Sequence, residues 1–216
     1  MVWILWNREQ IWIHILTNAL LTALTISLTS LLVAFYSMEI TFAIYLSLYI
    51  KSLQNNLISK TIGNKEIYEQ HKEIIELIND YNEVVSGQLY LETLITPIVP
   101  CGYGLAGIRA IQKNDFSQSF DNTIRSILSL LPCIVSCSCG QVIITQMERL
   151  HDASYMSNWY EQKIAIRKDL LMLMINTTKP TSINYRLFAR FDNVLLSAVL
   201  QVIYSYFTLM LNMDQQ

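Results

Sequence analysis

Long apolar segments alternate with shorter charged ones along this chain. Ile11–Ile50 is interrupted only by His14 and Glu39, Val84–Ile108 contains Glu92, and Ser126–Met147 and Val194–Met213 carry no charge. At about 1.5 Å of rise per residue, about 20 residues cross a hydrocarbon core of roughly 30 Å. Each of these segments is long enough to do so. The pattern predicts an all-α fold, a polytopic membrane helix bundle of about four transmembrane helices. The spans fall near 22–50, 84–108, 126–147 and 194–213, with long extramembrane helical extensions near 51–83 and 148–190.

Within the first segment no Gly or Pro breaks the run. It reads as one long helix that spans from about Thr22 and continues past Leu53, with 1–20 as a separate interfacial piece carrying Trp3, Trp6 and Trp12. The alternative, two spans with a turn near Glu39, has no turn residue to mark it. Glu39 reads as a hydrogen-bonded carboxylate inside the bundle rather than as an ion contact. Between 66 and 85, Ile67, Ile74, Ile75 and Ile78 form an apolar stripe facing away from Glu69, Glu73 and Glu76. His71, without companions at ligand spacing, is expected to be a solvated or packing side chain.

In the second segment, Pro100-Cys101-Gly102-Tyr103-Gly104 is expected to end the regular helix, with a loop over 112–122. Cys133 and Cys137, at i and i+4, read as small packing residues of the third segment. The run IAIRKDLLMLMI is amphipathic and is expected to pack on the helical extensions. Pro180 ends it, and Thr181 or Ser182 is placed to cap the following helix. In the last segment Ser197, Gln201, Ser205, Thr208 and Asn212 line one side, a wedge of about 80°. Such a stripe either bonds to neighbouring helices or faces water.

Composition sharpens this picture. The chain is 52% hydrophobic and 15% charged, against about 25% charge in soluble domains, which argues for a membrane protein and against a soluble enzyme. A net charge of −2 gives no hint of nucleic-acid binding. Four cysteines, three of them in one apolar segment, do not form a secreted disulfide framework. No nucleophile elbow, phosphate loop or zinc-protease motif occurs, so no catalytic residues, metal or cofactor are assigned. The first-to-second and third-to-fourth connections together hold eleven Lys and Arg, against four elsewhere. The positive-inside rule places those connections in the cytoplasm and both termini outside.

The chain resembles the insect odorant receptors. The resemblance rests on His71 opening the lead into a span, Cys137-x-x-Gly140-Gln141 within the next, and Tyr155 and Trp159-Tyr160 just after it. It continues through Arg167-Lys168 and Lys179-Pro180-Thr181 to Ser205-Tyr206-Phe207 near the end. Each piece is weak alone; their order and spacing are specific. The resemblance implies a subunit of an odorant-gated cation channel in the plasma membrane, multi-pass, with the C-terminus extracellular. It implies a volatile small-molecule odorant as ligand and a shared co-receptor in a hetero-tetramer, held by cytoplasmic anchor helices and surrounded by membrane lipid.

By the same similarity, Leu209, Asn212 and Met213 match the outer gate. They centre about 70° from the polar stripe, with Ser205 near both sets. Ligand-pocket candidates are Leu32 and Tyr36 on the first segment and Ile127, Leu130, Leu131 and Ile134 on the third. Family members are about twice as long, with three further helices ahead of these four, so the chain is expected to be a fragment or a truncated gene product. The alternatives are a non-conducting product and a gustatory-type chemoreceptor.

Overall fold

The computed structural model describes residues 2–59, 64–157, 159–161, 163–178, 182–185 and 189–214, with the side chains of 2–11, 59, 64–65, 165, 184–185, 189 and 213–214 left aside. The described residues are helical apart from one small ladder. They form α1 (Val2–Ser59), α2 (Asn64–Ile95), α3 (Ile98–Gln112), α4 (Phe116–Leu128), α5 (Leu131–Met156), a 3-10 turn (Trp159–Glu161), α6 (Ile164–Thr177) and α7 (Asn193–Asp214). The ladder pairs β1 (Asn184–Tyr185) with β2 (Ala189–Arg190) in antiparallel register, Asn184 opposite Arg190. Helices long and apolar enough to cross a membrane lie within Trp12–Ile58, Glu66–Gln112, Phe116–Glu161 and Asn193–Asn212.

The chain divides into two compact units, Met1–Glu39 and Ile40–Gln216. In the first, α1 runs as one continuous helix, with no separate piece before residue 20 and no turn at Glu39. The side chains of Trp3 and Trp6 lie outside the described residues; Trp12 is exposed. Unbranched and β-branched apolar residues without Gly or Pro give the helix no reason to stop. Its Ser and Thr hydroxyls bond back to carbonyls three or four residues earlier, as at Thr22, Thr25, Ser27 and Ser30, so they are satisfied without a partner helix. Glu39 is buried and engaged by a partner.

In the second unit the core follows spacings of three and four. Ala43, Leu46, Ile50, Leu53 and Leu57 are buried on α1, and Ile67, His71, Ile74, Ile78, Tyr81, Val85 and Leu89 on α2. Such a stripe is the seam of a coiled-coil-like pair. The rings of Phe42 and Tyr81 stack at 3.9 Å, and the Tyr49 hydroxyl donates to Glu73 at 2.7 Å. These pairs make the two stretches antiparallel. Glu69, Glu73 and Glu76 are exposed, so the stripe read from the sequence faces inward. Helix α6 closes this end through Leu170, Leu173, Met174 and Thr177, all buried. Thr177 meets the His151 ring at 3.0 Å.

The second and third apolar segments are each built from two helices. The break in the second lies at Thr96-Pro97, ahead of the Pro100–Gly104 run, which is itself helical. Pro97 cannot donate to the helix before it and fits the first turn of the helix after it. The expected 112–122 loop shrinks to Lys113–Asp115. Asn114 takes a left-handed φ of 62°, and the Asp115 carboxylate accepts from the Gln118 N–H at 3.1 Å, starting α4. Helices α3 and α4 pack closely where Gly107 faces Ser119 and Thr123, and Ser126 donates to the Pro100 carbonyl at 2.9 Å. A turn at 129–130 then leads into α5. This helix buries Cys133, Ser136, Cys137, Gly140, Ile143, Ile144, Met147 and Leu150. Cys133 and Cys137 are buried thiols packed in the helix interior, as the sequence suggested.

His71 is buried and its Nε2 has no hydrogen-bond partner; burial lowers its pKa from the ordinary 6.5. The folded protein thus holds the imidazole neutral. Its contribution to stability is whole above about pH 6.5 and is lost as pH falls toward the depressed folded value. Replacing His71 by Leu should remove that acid-side loss and stabilise the protein by about 1 kcal/mol at neutral pH. Thermal unfolding of both forms in detergent between pH 7.5 and 5 checks this; parallel profiles would rule it out.

Candidate functional site

The last helix, α7, is held at its start by a joint built from α5 and the ladder. Phe191 is fully buried, and its N–H donates to the Ile183 carbonyl at 3.0 Å. Its backbone rests on α5 at Gly140. A side chain there would overlap the Phe191 carbonyl oxygen and lie 3.0 Å from the carbonyl carbon. Glycine is required here by the close approach of two backbones. The next residue, Asp192, caps α7. One carboxylate oxygen accepts from the Leu195 N–H at 2.9 Å and the other from the Arg190 guanidinium at 2.9 Å. Burial works against this charge, but the Leu195 N–H and Arg190 outweigh it and hold the carboxyl below its ordinary range. The expected caps differ: Thr181 lies outside the described residues, and Ser182 precedes the ladder, its carbonyl accepting from Asn82 at 3.0 Å. Beside the joint, Gln141 accepts from the Asn193 N–H at 3.3 Å.

Farther along, α7 leans on α3. A Cβ at Gly104 would lie 2.8 Å from the Phe207 ring edge, and the Cys101 thiol donates to the Ile203 carbonyl at 3.4 Å. The run Pro100–Gly104 therefore serves as a seat for Phe207 rather than as a helix end. The two seats differ physically. At Gly140 the obstacle is backbone; at Gly104 it is the far edge of a side chain.

The opposite side of α7 is open. Ser197, Gln201, Ser205, Leu209 and Asn212 are exposed and Thr208 is half-buried. Ser197, Ser205 and Thr208 donate their hydroxyl protons to carbonyls of their own helix at 2.9–3.0 Å. Their donors are thus satisfied internally, while the oxygen lone pairs face outward. The expected gate residues Ser205, Leu209 and Asn212 share this side, at i, i+4 and i+7; the Met213 side chain lies outside the described residues.

The expected pocket residues fall in both units. Ile127 lies in the last turn of α4, Leu130 sits in the turn that follows, and Leu131 and Ile134 lie in the first turn of α5, with Ile127, Leu131 and Ile134 exposed. Leu32 and Tyr36 belong to the first unit, Leu32 exposed and Tyr36 half-buried. Among the described residues no group of three or more His, Cys, Asp or Glu could hold a metal ion. The joint was not identified from the sequence. Its signals were Asp192 ahead of an apolar run, a typical N-cap, and a glycine inside a helical pattern, which points to close packing.

A sequence model described as the 7tm odorant receptor matches residues 1–204. Among similar Drosophila melanogaster proteins, odorant receptor 2a is 25% identical over 153 residues, 66% of this chain and 38% of that one. Odorant receptor 85c is 22% identical over 145 residues, 67% of this chain and 36% of that one. Odorant receptor 85b is 20% identical over 151 residues, 70% of this chain and 38% of that one. The chain spans about a third of the length of the curated relatives it matches.

The two glycine seats should differ in tolerance. Gly104→Ala displaces only a ring that can swing and should cost about 1 kcal/mol, in the range of mild overpacking. Gly140→Ala drives a methyl into the Phe191 carbonyl and should cost more than about 3 kcal/mol or abolish folding. Thermal stability and surface expression of the two variants compare them; equal losses would contradict the difference.

Proposed function

The chain belongs to the 7tm odorant receptor family, and we propose on that premise that it forms part of an odorant-binding subunit of a ligand-gated cation channel, with α7 on the ion pathway. The supporting observation is the open side of α7. A membrane helix with no partner on one side normally shows lipid an apolar face. This one sets Ser197, Gln201, Ser205 and Asn212 there among exposed Val194, Tyr204 and Leu209, while its back is held by α3 and α5. Copies of α7 meeting around a central axis would give those oxygens water to face, and Leu209 with Met213 an apolar constriction that gates by dewetting.

The rest of the reading follows from the charge asymmetry and the family. Eleven Lys and Arg on alternate connections favour a cytoplasmic location for α6 and the paired ends of α1 and α2, and an extracellular C-terminus in the plasma membrane. The ligand is a volatile small molecule; candidate contacts are Leu32 and Tyr36 within the first unit and, separately, Ile127, Leu130, Leu131 and Ile134 within the second. The partner is a co-receptor subunit in a hetero-tetramer, and the natural surroundings are lipid. The reading includes no enzymatic step, cofactor or nucleic acid.

Expressed as the full receptor with a co-receptor, the protein should give odorant-evoked cation current. Asn212→Ala and Leu209→Ala should alter relative cation permeability or pore block at least about twofold, that is by more than about 0.4 kcal/mol at the constriction. Permeation unchanged in both variants would take α7 off the pathway. An epitope placed after Gln216 should be labelled on intact cells; labelling confined to permeabilised cells would reverse the orientation.

A further inference from the structure

The side-chain amide of Gln141 joins two helices. Its Nε2 donates to Thr145 Oγ1 at 3.4 Å, one turn along α5, and its Oε1 accepts from the backbone N–H of Asn193 at 3.3 Å. The first N–H groups of a helix have no acceptor within it. In α7, Asp192 takes the Leu195 N–H, whereas the Asn193 N–H is taken by a side chain from another element. The start of α7 is thus defined partly by its own cap and partly by α5. Gly140, next to Gln141, fixes how closely the two approach. A displacement of the start of α7 relative to α5 changes the Gln141–Asn193 distance, whereas the Asp192–Leu195 bond lies between neighbouring residues at that start.

We propose that Gln141 is a positioning residue that sets the angle at which α7 leaves α5, and through it the balance between shut and open arrangements of the channel; this rests on the pore-helix reading above. The bond is long and its surroundings are half-exposed, so it biases the balance without deciding it. Losing it should shift the half-maximal odorant concentration by about 2- to 10-fold, the span of one ordinary hydrogen bond. Ion selectivity and single-channel conductance should not change, because Gln141 lies at the joint and not on the open side of α7.

A double-mutant cycle tests this. Gln141→Met removes the acceptor at similar volume. Asn193→Pro removes the donor at the first helical position, where proline suits the backbone. Each single variant should shift the half-maximal concentration about 2- to 10-fold, and the double variant no further than the larger single. Additive shifts, or no shift in either single variant, would overturn the proposal. Amide hydrogen exchange on the 216-residue chain in detergent is independent of current. In Gln141→Met the Asn193 amide should exchange about 3- to 10-fold faster while the Leu195 amide is unchanged; unchanged exchange at Asn193 overturns the assignment. If the unaltered receptor gives no odorant current, the channel reading fails, and exchange alone decides the role of Gln141.

Discussion

The backbone of Phe191 lies on α5 at the one place where that helix offers no side chain, and the geometry of the last helix depends on that contact. Two peptide backbones approach this closely only over glycine. Around the seat, the buried face of α5 is made of small residues, Cys133, Ser136, Cys137 and Gly140, followed by larger ones, Ile143, Ile144, Met147 and Leu150. The small half lets neighbouring helices come near in a region where lipid supplies no hydrophobic drive to associate, so that van der Waals contact and hydrogen bonds hold the helices together. There the carboxylate of Glu92 on α2 lies 3.5 Å from the Ser136 hydroxyl, a polar contact suited to an apolar span. The larger half belongs to the heptad-like end of the bundle, where ordinary hydrophobic packing is available. One helix therefore carries two kinds of packing surface, and the change between them falls at the residue on which α7 is seated.

That arrangement gives α7 unequal attachments. At its start it has a capping carboxylate, an ion pair, a borrowed amide and a buried phenylalanine. Midway it has a thiol contact and one ring against a glycine. Beyond Phe207, Leu209 and Asn212 are exposed. Restraint thus falls from backbone contact at the start to side-chain contact midway. A rod held in this way is displaced least at its start, because the tight joint acts as a fulcrum. The seat at Gly104 belongs to α3, which is separated from α2 by the break at Thr96-Pro97. Force reaching α3 can therefore bear on α7 through Phe207 without first unwinding α2.

Much of the architecture was legible because membrane segments obey a simple constraint of length and apolarity. The four apolar runs, the continuity of the first helix through Glu39 and the inward stripe of Ile67, Ile74 and Ile78 all appear in the pattern, whereas the extension of that helix ahead of residue 20 was not read. His71 was ambiguous as a single residue, but its spacing from Ile67 and Ile74 is that of a seam, and the seam buries it. The break at Thr96-Pro97 was misplaced because Pro100 and the following glycines looked like stronger breakers. Within a bundle, small residues serve close packing instead, as Gly104 and Gly107 do. Helix α4 was missed because 112–122 was read as a loop, although Asp115 followed three residues later by Gln118 is a capping pattern. The open side of α7 was legible as a polar wedge. What lay outside local pattern was its back: that Gly140, Gln141 and Asp192 converge depends on residues about 50 positions apart, and neither period nor propensity carries that information.

The buried imidazole of His71 and the borrowed amide of Gln141 show how polarity is used differently at the two ends of the bundle. In the antiparallel seam of α1 and α2, leucine and isoleucine packing is strong enough that one unsatisfied ring nitrogen is tolerated, and a polar group in such a seam opposes slipped pairings more than it adds stability. Near α7 there is little apolar packing to spare, so each backbone donor at the start of the helix is met individually: Leu195 by Asp192, Asn193 by Gln141 and Phe191 by Ile183. Stability in the first region is collective and insensitive to any one bond. In the second it combines the buried ring and backbone seat of Phe191 with a few directed bonds. A conformational equilibrium is best adjusted in a region of that second kind, since small changes in bonding there alter position before they alter integrity.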